Sequence, residues 1–194
     1  MIFNIADLKG SSDIYKLMSQ TIIPRPIAWI VTQNSQGVVN VAPFSYFTGL
    51  SSEPACVIVS IGHKRNGEAK DTLKNIRESK KCTICMVKEE DLEPMNKSAS
   101  ELDSQISEAD EFNIELENKF TDFPPAVKSS PVSYACTLNQ EVNIGGSTIP
   151  LILNLHHIFV EENAIVDKDR LSINFKPVAR VGKAYAFLGK DIIP

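Results

Sequence analysis

Apolar positions along the chain gather into short runs rich in β-branched and aromatic residues, punctuated by proline, glycine and asparagine. The runs are IAWIVTQ (27–33), VVNVAPF (38–44), ACVIVSI (55–61), CTICMV (82–87), SYACTLNQEVNI (133–144), LILNLHHIFVEE (151–162) and INFKPVARVG (173–182). Short runs of this composition bounded by turn residues read as strands, and NSQG (34–37) and GGSTIP (145–150) supply the turns. The pattern predicts a mainly β fold with peripheral helices, built on an antiparallel barrel of six or seven strands. One helix is predicted over 71–80, with Asp71 as N-cap, Leu73 and Ile76 on one face, and Arg77, Lys80 and Lys81 near the C-terminal end. Further helices are expected within the first twenty residues and part of 88–118, where apolar residues are too sparse for a deep core. Strands and long helices do not alternate, which argues against a doubly wound parallel sheet.

At 194 residues the chain suits one domain, 1–194, with 88–130 as a helical or irregular excursion from the barrel. A hydrophobic content of 43% and a charged content of 23% exclude whole-chain disorder. No apolar run reaches the length of a bilayer span, and the opening MIFNIADLKG lacks the features of a secretory leader, so a cytoplasmic protein is expected. The four cysteines, Cys56, Cys82, Cys85 and Cys136, lie in apolar strand-like runs rather than in loops suited to disulfides. Cys82 and Cys85 form a CxxC spacing, yet on a strand they face opposite sides, unsuited to a redox or zinc role.

Charge is uneven. Residues 88–122 hold twelve acids against three lysines, and the remainder holds twelve acids against seventeen bases. A strongly acidic segment beside a mildly basic framework argues against nucleic acid as a partner and leaves room for a small anionic ligand.

The GxGxxG, GxxxxGK[ST], GxSxG and HExxH motifs are absent, and His63, His156 and His157 lack metal-ligand spacing, so no metal site is expected. Two segments remain as candidate chemistry. In Asn40-Val41-Ala42-Pro43-Phe44-Ser45 a strand ends in proline and small polar groups, which would let a flat ligand approach the backbone. The same segment reads equally as an edge strand running into a loop. Lys70-Asp71-Thr72, at a helix start, combines free amides, a helix dipole, a lysine and a hydroxyl, a set that suits phosphate. It also reads as a plain N-cap beside a solvated lysine.

Pro24-Arg25-Pro26-Ile27-Ala28-Trp29, Asn40 through Phe47, Glu53-Pro54 and Lys70-Asp71-Thr72 before Asn75-Ile76 resemble, in order and spacing, the flavin reductase-like family. Met95-Asn96, Asp110-Glu111-Phe112 and Pro177-Val178-Ala179-Arg180 extend the resemblance over nearly the whole chain. It implies an FMN-binding split β-barrel of the flavin reductase or flavoredoxin type, homodimeric, with the flavin near the subunit interface. It implies a flavin surrounded by Arg25, Pro26, Ala28, Thr32, Asn40, Ala42, Ser45, Lys70, Asp71 and Thr72, with Lys70 and Thr72 on the phosphate. The implied activity is hydride transfer from NADH or NADPH to flavin, serving a partner oxygenase or another acceptor, with Arg25 or Arg180 drawing the dinucleotide's phosphates. A flavin-binding electron carrier or storage module is the alternative. Leu153-Asn154-Leu155 departs from the family's Gly-Glu-Val strand; His157 beyond it matches a position often close to the flavin or the reductant.

Overall fold

The computed structural model describes residues 1–190. A turn of 3-10 helix at Ile5–Asp7 and helix α1 (Ser11–Thr21) open the chain. Strands β1 (Arg25–Pro26), β2 (Ala28–Gln33), β3 (Val39–Phe44), β4 (Phe47–Ser52) and β5 (Ala55–Gly62) follow, then helix α2 (Asp71–Ser79) and β6 (Lys81–Cys85). The excursion carries α3 (Leu92–Lys97), α4 (Glu108–Glu111), β7 (Leu116–Glu117) and β8 (Ala126–Val127). Two long strands, β9 (Val132–Glu141) and β10 (Thr148–Val160), precede the short β11 (Ile165–Asp167), β12 (Ser172–Ile173), β13 (Val178–Val181) and β14 (Ala184–Phe187).

Seven strands form one sheet in the order β3-β2-β6-β9-β10-β5-β4, and every pairing in it is antiparallel. The strand number and antiparallel pairing are those the sequence predicts. The hydrogen-bonded ladder ends at β3 and β4, with no pairing between those two edges among the described residues. Even so, all seven strands contribute to one core, through side chains that include Ile30, Phe44, Phe47, Val59, Ile84, Cys136 and Leu153. A sheet whose two edges share one interior is strongly curled, and Leu73 and Ile76 of α2 join the same core. A separate sheet, β1-β13-β14, joins the segment after α1 to the far end of the chain.

The structure corrects three local expectations. The N-cap of α2 is Lys70, and Asp71 is the first helical residue. The run 173–182 is two strands, β12 and β13, with Pro177 lying between them and unable to donate to a ladder. The excursion also contributes more than peripheral cover: Met95, Ala109, Ile114, Ala126 and Val127 are buried against Ile27, Trp29, Val31, Val41, Cys85 and Val87 in a second core. The physical reason lies in β2 and β6, which are apolar on both faces and therefore need a second layer. Cys82 faces the first core and Cys85 the second, so the CxxC sulfurs point apart. All four cysteines are buried and unbridged.

Candidate functional site

The end of β3, the Ser45–Tyr46 link and the C-terminal end of β5 converge on a cleft of about 440 Å³. Helix α1 contributes Tyr15 to its wall, α2 brings Lys70, α3 brings Met95 and Asn96, and β10 brings Thr148. The small sheet adds Arg180 from β13 and Tyr185 from β14, whose hydroxyl donates to Asn96 Oδ1 at 2.7 Å and ties that sheet to α3. Among the described residues no aspartate or glutamate lines this cleft, although the chain carries a net charge of −4. Lys70 and Arg180 stand in it without a carboxylate partner among the described residues. Lys70 Nζ lies 5.7 Å from the Phe44 ring; Arg180 lies 4.4 Å from the Tyr185 ring and its Nε donates to the Gly182 carbonyl at 3.2 Å. The cleft is thus an anion-attracting surface walled by flat side chains.

A smaller cleft adjoins it through Pro43, Lys70 and Ala99 and is bordered by Asn40, Ala42, Asp71, Thr72 and Glu108. Asn40, Ala42, Ser45, Lys70, Asp71 and Thr72 therefore lie around connected space. Within it, Asn40 Nδ2 donates to Thr72 Oγ1 at 2.9 Å, and Asn75 Nδ2 donates to Thr32 Oγ1 at 3.1 Å. Thr32 and Asn40 sit opposite each other on β2 and β3, so these two bonds clamp α2 onto the hairpin. Asp71 pairs with Lys64 at 2.7 Å and with Lys74 at 3.8 Å. Thr32 and Ala28 are fully buried and line none of these clefts, and Pro26 is exposed on β1.

Arg25 is 4% exposed and anchors α1. Its Nη1 donates to the carbonyls of Ser19 and Ile22, the latter at 2.8 Å, and its Nε donates to Ser45 Oγ at 3.4 Å. His157 lies elsewhere, exposed on β10 between the rings of Phe120 and Phe123, at centroid distances of 6.1 and 6.0 Å. Tyr15, Tyr46, His63, Thr148 and Tyr185 line the cleft without having been singled out from the sequence. His63 and Thr148 meet there because β5 and β10 pair in a register that sets Thr148 opposite Gly62.

Glu108 reaches β3 from the excursion and accepts the Val41 amide at 2.9 Å, closing part of an edge strand. Burial pushes its carboxyl up, against the pull of that hydrogen bond. The folded chain thus holds the proton more tightly than the unfolded chain. Its contribution to stability is full below the ordinary glutamate range and is lost as pH rises through the raised value. Glu108→Gln retains an acceptor for the amide and removes the titration. In urea melts the variant should gain on the wild type as pH rises from the ordinary glutamate range through the raised value; a pH-independent difference would contradict the assignment.

A family model for the flavin reductase like domain matches residues 18–171. The chain belongs to this family. As a flavin reductase-like chain it is 31% identical over 195 residues to the uncharacterized protein YwrF of Bacillus subtilis (strain 168), covering 96% of this chain and 94% of YwrF. It is 28% identical to nitrilotriacetate monooxygenase component B from Bacillus cereus and matches that crystal structure with a TM-score of 0.92 over 100% of this chain and 98% of the other. A crystal structure with a split barrel domain from Shewanella frigidimarina NCIMB 400 matches with a TM-score of 0.83 at 20% identity, covering 100% of this chain and 98% of that one. At that identity the likeness shows the fold. Among the described residues no helix is long and apolar enough to cross a membrane.

Proposed function

We propose that this flavin reductase-like chain binds FMN in the acid-free cleft, accepts hydride from NADH or NADPH, and delivers reduced flavin or electrons to an acceptor such as an oxygenase component. The observation that carries this reading is the pairing of Lys70 and Arg180 with aromatic walls in a cleft that no carboxylate lines among the described residues. A phosphate-bearing planar ligand fits that combination of charge and shape. FMN, when bound, supplies the redox-active ring, and the chain's task is to hold and orient it.

Lys70, at the start of α2, is the residue placed to receive the phosphate, where its charge adds to the helix N-terminal amides. Asn40, Ala42 and Ser45 provide a wall of small side chains along the strand end. Thr72 and Asp71 set the position of that turn through Asn40 and Lys64. Arg180, with Arg25 beside it, supplies the positive field that draws an anionic second substrate. No catalytic acid or base is assigned, and His157 keeps no role in a cleft that it does not line.

A homodimer completes the proposal. Met1, Ile2, Phe3, Ile5, Tyr15, Met18, Ile22 and Ile23 are exposed, and no apolar residue of α1 is buried. An arm this apolar is suited to cover by a second copy. The four unbridged cysteines suit a reducing, cytoplasmic setting.

Anaerobic titration tests the reading. Chain loaded with FMN should lose its oxidised-flavin absorbance on addition of NADH or NADPH, and light scattering on the same sample should give the mass of a dimer. Yellow protein that neither nucleotide bleaches would indicate the carrier or storage module. Chain that takes up no FMN would refute the reading outright.

A further inference from the structure

Strands β1 and β13 pair so that Arg25 lies directly opposite Arg180. Directly opposed residues of an antiparallel pair share one face of the sheet, and like charges in that arrangement repel. The usual remedy is an intervening carboxylate, yet neither arginine meets one among the described residues. Arg25 commits Nη1 to the carbonyls of Ser19 and Ile22, while its buried Nη2 has no hydrogen-bond partner. Its guanidinium lies 5.7 Å from the centre of the Tyr46 ring, and the buried Tyr46 hydroxyl likewise has no partner. A buried donor left unsatisfied is costly. Arg25 is held by Ser19, Ile22 and Ser45 and Arg180 by the Gly182 carbonyl, yet among the described residues no carboxylate offsets the paired charges and the two orphan polar groups beside them stay open.

We propose that Arg180, Arg25 and Tyr46 form an oxyanion subsite, distinct from Lys70, that receives the carboxylate of a small planar aromatic acid. A planar guanidinium fork matches a carboxylate with two parallel hydrogen bonds. The aromatic body is matched by Tyr15, whose ring lies 5.7 Å from that of Tyr46 at 34°, and by Tyr185 under Arg180. Burial, with Tyr15 beside it, holds the Tyr46 phenol above its ordinary value against the pull of Arg25, so its hydroxyl stays available as a donor. Arg180 is the receiving cation, and Arg25, held by α1, lends field and position.

The subsite shares Arg180 with the flavin proposal and goes beyond it, since it needs Arg180 in the cleft and Arg25 paired beside it but no particular cofactor. Calorimetric titration of the full chain with sodium benzoate, with and without FMN, reads it directly. Benzoate should bind, Arg180→Met should weaken it about tenfold or more, Arg180→Lys should recover part of the loss, and Tyr46→Phe should weaken it about threefold. Absence of benzoate binding, unchanged affinity in a folded Arg180→Met, or tighter binding of inorganic phosphate than of benzoate would each overturn the subsite. Failure of the wild type to take up FMN while still binding benzoate would refute the flavin reading and leave the subsite standing.

Discussion

Lys70→Glu is expected to weaken FMN binding by more than about a hundredfold, a loss of roughly 3 kcal/mol or more. The substitution removes a charge-assisted contact and sets a carboxylate into a cleft that none lines among the described residues. The fold should survive, because among the described residues the Lys70 side chain makes no hydrogen bond or ion pair; it lies against the Phe44 ring. An acid at the start of α2 also agrees with the helix dipole, so thermal stability should hold or rise slightly. Fluorescence titration of FMN against the variant and the wild type is the measurement. Equal affinity in a variant with an unchanged melting temperature would remove Lys70 from the flavin site.

Arg25→Met should cost about 3–5 kcal/mol of stability, a fall in melting temperature of roughly 10 °C for a chain of this size. The shape of the side chain is largely kept, but the Ile22 carbonyl loses the Arg25 donor and the buried Ser19 carbonyl is left with the Gly182 amide. No apolar residue of α1 is buried, so burial gives the helix little hold on the molecule. Its remaining ties are the Gly182 amide on the Ser19 carbonyl and the contact between Tyr15 and Tyr46. Limited proteolysis should then cut earlier within residues 8–24 of the variant. A loss below about 1 kcal/mol would mean that Arg25 behaves as an exposed charge and that α1 is held by other means.

Most strands were legible because their burial alternates. β5 places Val57, Val59 and Ile61 inside, and β10 does the same with Leu151 and Leu153, so the spacing of apolar residues carries the fold directly. β4 was not legible for the converse reason: after Phe47 it runs exposed through Thr48, Gly49, Leu50, Ser51 and Ser52, and an edge strand without a buried face leaves no period to read. The burial of the excursion was missed because its apolar residues are widely spaced. They are buried one or two at a time under strands whose own continuous apolar runs were the better signal.

The candidate site divides along the same line. Asn40, Ala42, Ser45 and Lys70 could be singled out because each stands where a strand end or helix start makes its chemistry locally unusual. The buried roles of Thr32 and Thr72 could not, since a hydroxyl on a strand or helix looks the same whether it faces a ligand or the asparagine of a neighbouring element.

Local propensity and patterning alone thus determined most strand positions of the seven-stranded sheet, the helix at α2, the opposed cysteines of the CxxC and the acidic character of the excursion. Tertiary structure decided which charges meet. Arg25 and Arg180 come from nearly opposite ends of the chain, and only the pairing of β1 with β13 sets them side by side. The larger cleft likewise exists only once β3, β5, α2, α3 and β13 converge, because the excursion turns Met95, Asn96 and Ala99 toward it while its Glu101 and Glu108 border the smaller adjoining cleft. Contacts between distant segments depend on sheet register and on the burial of whole faces, and neither quantity is carried by any one stretch of sequence.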